Sequence, residues 1–194
     1  YIGAVLLFFL FSLPVLATTG AIQLPKTGQT KCYNASGTEI ACAGTGQDGE
    51  IQAGTAWPNP RFTVGTGTET ECIIDNLTGL MWARQGQHSL TWYQALSYAT
   101  NLSLCGYTDW RLPNLNEMES LVNSAVQRND NWLISQGFTD VRLGWTSTTG
   151  PNGTNCAWNI NEYGMVSCFT KSNNSSYSFS ALPVRGGHNT PSGI

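Results

Sequence analysis

The stretch Gly106-Tyr-Thr-Asp-Trp-Arg-Leu-Pro-Asn-Leu-Asn-Glu117 carries the clearest structural signal in the chain. Asn114 followed three residues later by Glu117 is a helix-capping pattern, because each side chain can accept a backbone N–H at the first turn. The apolar residues that follow recur at helical spacing: Leu115, Met118, Leu121 and Val122. The sequence therefore predicts a helix that begins after Asn114 and buries one face.

A second helix is predicted upstream of this stretch. Thr91 and Gln94 form a capping box, and Ala95, Leu96, Ala99 and Leu102 supply an apolar face. Before it, the segment from Ile73 to Ala83 is apolar apart from turn-forming residues, and residues 80–83 read as a strand. The densely packed part of the protein is therefore expected to begin near residue 71.

Strands are predicted downstream. A short helical turn from Trp132 is expected to stop at Gly137. Alternating runs joined by Asn, Gly and Ser then indicate strands at residues 144–148, 157–160, 165–169 and 179–185. Two helices followed by antiparallel strands predict an α+β fold.

The amino-terminal part has a different composition. Residues 1–17 are uncharged and apolar and end in Val15-Leu16-Ala17, which is typical of a secretory signal peptide cleaved after Ala17. A retained membrane anchor is the alternative, but a spanning helix needs about twenty apolar residues. The predicted organisation is a signal peptide (1–17), a Gly/Thr/Pro-rich leader (18–70), a main domain (71–188) and a tail (189–194).

Six cysteines follow the signal segment, and an even number in an exported chain predicts three disulfides. Cys32 and Cys42, and likewise Cys156 and Cys168, have spacings that suit hairpin staples. Cys72 would then pair with Cys105 by elimination, although six cysteines allow fifteen connectivities. The spacings do not resemble paired zinc knuckles.

The charge of the chain argues against nucleic-acid binding. Nine Lys and Arg against twelve Asp and Glu give a net charge of −3, and the basic residues are scattered singly. A nucleic-acid-binding protein shows a clustered basic footprint instead. We also expect no membrane association once the signal peptide is removed.

Calcium is the one cofactor that the sequence suggests. Asp48 and Glu50 lie in a Gly-rich turn and could supply oxygen ligands, as carboxylates do in many extracellular domains. A solvated polar turn is the alternative. The Gly-x-Gly-x-x-Gly pattern of residues 44–49 has no evident strand before it or helix after it, so a dinucleotide site is not predicted.

Candidate ligand-binding residues lie mainly in the second half of the chain. Asn129 and Asp130 could bind calcium or a sugar beside an aromatic ring, although a turn capped by their side chains is the alternative. Arg111 could bind an anion, or could instead pair with Asp109 and Glu117 in the interior. Exposed aromatic candidates for stacking on a sugar are Trp132, Trp145, Trp158, Tyr163 and Tyr177.

No catalytic residue is predicted. The two histidines, His88 and His188, are not near a recognisable nucleophile motif, and solvated positions are expected for both. The chain is therefore expected to be a binding module and not an enzyme.

Several segments together resemble a known family. Asp75-Asn-Leu-Thr-Gly-Leu-Met-Trp82, Thr91-Trp-x-x-Ala-Leu96, residues 106–114 and Pro183-Val-Arg-Gly-Gly187 occur in that order. They resemble the family defined by the carboxy-terminal domain of the Legionella collagen-like adhesin. The leader resembles a segment that many bacterial members carry.

The resemblance implies a fold similar to C-type lectins and to the formylglycine-generating sulfatase-modifying domain, with Arg111-Leu-Pro113 and Glu117 in a shared segment. It also implies binding of sulfated glycosaminoglycans in attachment and biofilm. Trimerisation through a collagen-like stalk is not expected, because this sequence has no Gly-x-y repeat ahead of the domain. Strong binding of polyanions is not expected either, because the net charge is negative.

Three functional hypotheses follow. The first is an exported surface or periplasmic domain that binds extracellular carbohydrate or another surface polymer. The second is a structural subunit of an extracellular assembly, with copies of itself or another surface protein as partners. The third is an oxidoreductase of the sulfatase-modifying type that would use Cys156 and Cys168; a cross-strand disulfide is the simpler reading of that pair.

Overall fold

The structure is a computed structural model that describes residues 24–151, 153–171 and 179–186. The predicted signal peptide and tail lie outside the described residues, as do His188 and the binding candidate Tyr177. In the part of the chain that the structure describes, no helix has the length and apolar character needed to cross a membrane.

The described elements are short. The helices are α1 (Asp48–Ile51), α2 (Trp92–Thr100), α3 (Leu115–Glu119) and α4 (Asn129–Ser135), with a 3-10 turn at Gly67–Glu69. The strands are β1 (Cys32–Tyr33), β2 (Glu39–Ile40), β3 (Phe62–Val64), β4 (Cys72–Asp75), β5 (Met81–Ala83), β6 (Trp145–Thr149), β7 (Cys156–Ile160), β8 (Val166–Thr170) and β9 (Val184–Arg185).

These strands form three antiparallel sheets. One is the hairpin β1–β2, the second has the order β3-β4-β5-β9, and the third has the order β6-β7-β8. The predicted α+β class is confirmed. The predicted final strand is shorter than expected: before β9, Ala181 makes only an isolated bridge to Gln87.

Both predicted capping boxes are present. The Thr91 hydroxyl accepts the Gln94 N–H, and the Asn114 side chain accepts the Glu117 N–H, with each reciprocal bond also formed. Helix α4 begins at Asn129, three residues before the predicted helical turn, and the chain leaves it through Gly137 at a φ of 112°. Such a φ is strained for any residue with a Cβ, which is why a glycine ends this helix.

Two apolar clusters flank the three-stranded sheet. The larger packs the four-stranded sheet against α3 and α4 and includes Trp82, Met118, Leu133 and Ile160. The second lies under α2 and includes Trp92, Ala95, Trp145, Ala157 and Phe179. Ala157 and Ile160 of β7 are three positions apart, so they point to opposite faces of the strand and enter different clusters.

All six cysteines form disulfides, and the three pairings are those that the sequence suggested: Cys32–Cys42, Cys72–Cys105 and Cys156–Cys168. The first closes the leader hairpin. The second ties β4 to the loop before Trp110, where the two cysteines pack in a third cluster. The third joins β7 to β8.

The described part of the leader packs against the main domain. The rings of Trp57 and Trp132 are 5.5 Å apart, and the Ser124 N–H donates to the Thr27 carbonyl over 2.9 Å. Arg61 forms a buried ion pair with Asp75 of β4. Strand β3 itself precedes residue 71, so the leader supplies an edge of the four-stranded sheet.

Candidate functional site

A groove of about 490 Å³ lies beside the three-stranded sheet. Its lining comes from the sheet, from the β7–β8 turn, and from the segments that precede α4, β6 and β9. The lining residues are Arg128, Arg142, Leu143, Asn159, Asn161, Glu162, Met165, Ser167, Phe169 and Phe179. Its volume is in the range of small-molecule sites in proteins.

The sheet register explains why these side chains meet. Asn159 pairs with Ser167, and Ala157 pairs with Phe169, so Asn159, Ser167 and Phe169 share one sheet face. In the turn beyond, the Asn161 carboxamide oxygen accepts the backbone N–H groups of Tyr163 and Met165. Gly164 has a φ of 80°, which lets the turn close tightly. The large side chains on either side of it, Tyr163 and Met165, are exposed.

Arg128 connects the groove to α4. Its guanidinium binds Asp130 with two hydrogen bonds of 3.1 and 2.5 Å and lies 5.6 Å from the centre of the Tyr163 ring. The hydrogen bond from Arg128 holds the pKa of Asp130 below its ordinary value. The Asn129 N–H donates to the Glu162 carbonyl over 2.7 Å, which fixes the first turn of α4 to the β7–β8 turn.

The groove includes polar groups that have no partner within the described residues, among them the Asn159 amide nitrogen and the Arg142 guanidinium. Asn159 is 1% exposed, and its Nδ2 makes no hydrogen bond. Arg142 is exposed and forms no ion pair with a described residue. Buried polar atoms are nearly always hydrogen-bonded in folded proteins. Within the described residues, Asn159 Nδ2 shares its lack of a hydrogen bond with buried nitrogen atoms of Arg61, Trp82, His88 and Asn129. Of these five residues, Asn159 is the one that lines the groove.

The predicted loop at Asn129 and Asp130 is the first turn of helix α4, and both side chains are buried. The Asn129 carboxamide oxygen accepts the Asn123 N–H over 2.7 Å, and Asp130 is bound to Arg128. The expectation of an open ligand loop is therefore corrected. Trp132 is half-buried against Trp57 of the leader, and its exposure is smaller than expected.

The predicted exposure of Trp145 is wrong. Its side chain is 0% exposed, its Nε1 donates to the Leu90 carbonyl over 2.8 Å, and its ring lies 4.9 Å from that of Phe179. The ring is covered because the chain at Ser180 returns over β6, where it accepts the Trp145 N–H. Trp158 is half-buried and alternates with Asn159, so it faces away from the groove. Of the aromatic candidates, Tyr163 is exposed in the β7–β8 turn, with its ring near Arg128 of the groove lining.

Arg111 is engaged within the fold. It makes two hydrogen bonds of 2.7 Å to Glu117 and one of 2.9 Å to the Gly186 carbonyl, and the bonds to Glu117 raise its pKa. Asp109 is not part of this pair, because it binds Arg185 at 2.7 Å. Arg111 therefore pairs with Glu117, as expected. The expectation that Asp109 also pairs with Arg111 is wrong.

Comparison with protein families decides the relationship of this chain. The family model described as the Lcl C-terminal domain matches residues 71–185. The chain belongs to that family. Lcl C-terminal domains are associated with collagen-like adhesins of the bacterial surface. A search of curated proteins found no match, and a search of solved structures found none either.

Family membership and the three disulfides together indicate an exported protein. Disulfides form and persist in oxidising compartments, and they are rare where thiols are kept reduced. The groove residues between Arg128 and Phe179 all lie within the Lcl C-terminal domain.

The calcium candidates precede the Lcl C-terminal domain and bind neighbouring groups. Glu50 accepts the Gly44 and Gly46 N–H groups over 2.6 and 2.8 Å, which lowers its pKa. Asp48 accepts the Thr27 hydroxyl. Within the described residues, no group of three or more His, Cys, Asp or Glu side chains could hold a metal ion. Calcium binding at Asp48 and Glu50 stays a prediction.

A Ser-His-Asp contact inside the Lcl C-terminal domain was not anticipated from the sequence. His88 Nδ1 lies 2.7 Å from the Ser180 hydroxyl, and its Nε2 lies 3.0 Å from an Asp140 carboxylate oxygen. The expected solvated position of His88 is therefore wrong. Ser180 is 0% exposed, so its hydroxyl is closed to a substrate, and the three residues act as a link between chain segments.

Most residues of the groove carry no recognisable signal in the sequence. Arg142, Asn159, Asn161, Glu162 and Ser167 belong to no motif and are separated by other elements. Alternation along β7 and β8 could have placed Asn159 and Ser167 on one face, but it could not show which face carries a cavity.

Proposed function

We propose that this protein is an exported bacterial recognition domain that binds an extracellular carbohydrate, or another polymer of the cell surface, in adhesion or biofilm. The observation that carries the proposal is the groove, which combines an unpartnered buried amide, hydroxyl and carboxylate groups and two aromatic rings in one cavity.

The composition of the groove matches the chemistry of a sugar. A pyranose presents hydroxyl groups around its edge, each of which both donates and accepts, and C–H groups on its faces. Asn159, Ser167 and Glu162 offer donors and acceptors, while Phe169 and Phe179 supply the apolar contact that a sugar ring needs.

Binding, and not catalysis, is also supported by the state of the reactive groups. All six cysteines are in disulfides, which leaves no thiol for chemistry of the sulfatase-modifying type. Ser180 is buried beside His88. We include in the proposal a fold related to C-type lectins, for which the Arg111–Glu117 pair, with Arg111 bridged to Val184 of β9, is the supporting feature.

A glycan array tests this function. The oxidised protein, purified after export, is applied to glycans and glycosaminoglycans with and without calcium, at low and at physiological salt. We expect selective binding that survives physiological salt, and loss of that binding when calcium is removed would favour the site at Asp48 and Glu50. Silence across the array would refute the binding of carbohydrate.

A matched pair of variants locates the site. Ser167→Trp fills the groove, whereas Thr170→Trp adds the same bulk on the opposite face of the same strand, where Thr170 is exposed. With both variants folded by circular dichroism, we expect Ser167→Trp alone to lose the glycans. Equal binding by both variants would place the ligand elsewhere.

A role as a subunit of an extracellular assembly is the second candidate. It is favoured by three exposed apolar residues at the β7–β8 turn and the start of β8: Tyr163, Met165 and Val166. Size-exclusion chromatography over a concentration series tests it, and a constant monomeric elution volume would exclude self-assembly as the function.

A further inference from the structure

Arg142 differs from the other five arginines of the chain. Arg61, Arg111, Arg128 and Arg185 each bind a carboxylate, and Arg84 donates to two backbone carbonyls. Arg142 has no such partner among the described residues, although it lines the groove. A guanidinium is a planar fork of donors that matches a carboxylate.

The Asn159 amide adds a donor in the same groove. Asn159 is almost completely buried, and its Nδ2 points its hydrogens at no described acceptor. An unsatisfied buried donor costs free energy, which an oxygen atom of a ligand would recover. Two unpartnered donor groups therefore line one cavity, and both require an oxygen acceptor.

The other residues of the groove indicate which kind of ligand group would accept these hydrogen bonds. Glu162 also lines the groove, and the chain has a net charge of −3, so a densely charged polyanion is disfavoured. Phe169 and Phe179 favour a ligand with an apolar ring face, while Ser167 and Asn161 favour hydroxyl groups. A sugar ring with a single carboxylate meets all these conditions.

We propose that the groove binds a uronic-acid unit of an extracellular polysaccharide, with its carboxylate held by Arg142 and Asn159. This inference rests on the proposed carbohydrate-binding function and names the ligand class. The ring then lies against the aromatic residues, and Glu162 accepts a sugar hydroxyl.

Isothermal titration calorimetry tests the inference. The probes are short oligomers of galacturonate, glucuronate and mannuronate, each compared with its methyl ester, which keeps the ring and removes the charge. We expect at least one acid to bind about tenfold to a hundredfold more tightly than its ester, since a hydrogen bond between charged groups contributes on that scale.

Variants assign the effect to the groove. Arg142→Gln is expected to bind the acid and its methyl ester with equal affinity. Lys31→Gln removes the same charge from the leader hairpin, where Lys31 pairs with Glu39, and is expected to keep the tighter binding of the acid. Asn159→Leu removes the amide at similar volume and is expected to weaken binding of the acid without lowering the melting temperature.

The outcomes separate the two proposals. Equal binding of acid and ester by a protein that binds neutral glycans would overturn the uronate inference and leave the proposed function intact. Equal Arg142-dependent binding of a matched sulfated oligosaccharide would overturn the selectivity for carboxylate. Failure to bind any saccharide would refute both.

Discussion

Asp75 in the four-stranded sheet and Asn159 in the three-stranded sheet are both buried polar residues, yet their surroundings are opposite. Asp75 accepts two hydrogen bonds from Arg61, one from the Thr78 hydroxyl and one from the Leu77 N–H. The Nδ2 of Asn159 donates to no described group. The Asp75 carboxylate is therefore satisfied within the fold, although Nη1 of its partner Arg61 is not, whereas the unpartnered amide of Asn159 lines the groove.

The largest effect expected from this contrast follows Asp75→Ala. Arg61 is buried, so loss of its carboxylate leaves an uncompensated charge, which costs about 3–5 kcal/mol of unfolding free energy. Urea unfolding of the oxidised protein measures it. Asp109→Ala is the control, because Asp109 is 54% exposed and its pair with Arg185 contributes about 1 kcal/mol or less. Equal losses in the two variants would contradict the role assigned to Asp75.

The disulfides extend the comparison between the two sheets. Cys72–Cys105 spans 33 residues and Cys156–Cys168 spans 12. Because a longer loop loses more chain entropy when it is closed, replacing the first pair by alanines is expected to cost about 3–4 kcal/mol, and replacing the second about 1 kcal/mol less. Urea unfolding of the two double variants checks the order, and a larger loss for Cys156 and Cys168 would reverse it.

The smallest expected effect is on the stability of the fold at low pH. Arg128 lowers the pKa of Asp130, so the ionised carboxylate stabilises the fold above the ordinary pKa of aspartate, and this contribution is lost as the pH falls through the lowered value. Arg128 is 41% exposed, which limits the effect to about 1 kcal/mol or less. Between pH 6 and pH 2.5, the free energy of unfolding should decrease less in Asp130→Asn than in the unchanged protein. Identical losses would show that the pair contributes nothing.

The parts of the fold that local signals determine were predictable. The capping boxes at Thr91 and Asn114 depend on residues three apart, and both formed as expected. The α+β class followed from the order of helical and alternating segments, and the family resemblance was confirmed over residues 71–185.

The candidate site was not predictable in the same way. Trp145 lies in a strand whose burial depends on Ser180, 35 residues later, so its environment has no local signature. Arg142 shares the groove with Asn159 and Phe179, which lie on other elements. A single sequence shows which residues are polar, but it does not show which polar residues remain unpartnered after folding.

The Cys156–Cys168 bridge affects when the groove can form, because it fixes the register of β7 against β8. Asn159 and Ser167 face the groove because β7 and β8 pair in one register, and a slip of one residue would turn Trp158 or Cys168 to that face instead. The bridge spans these two strands and excludes such a slip. A chain that is still reduced lacks this restraint, so the groove in its described form depends on oxidation of the two thiols, which an oxidising compartment provides.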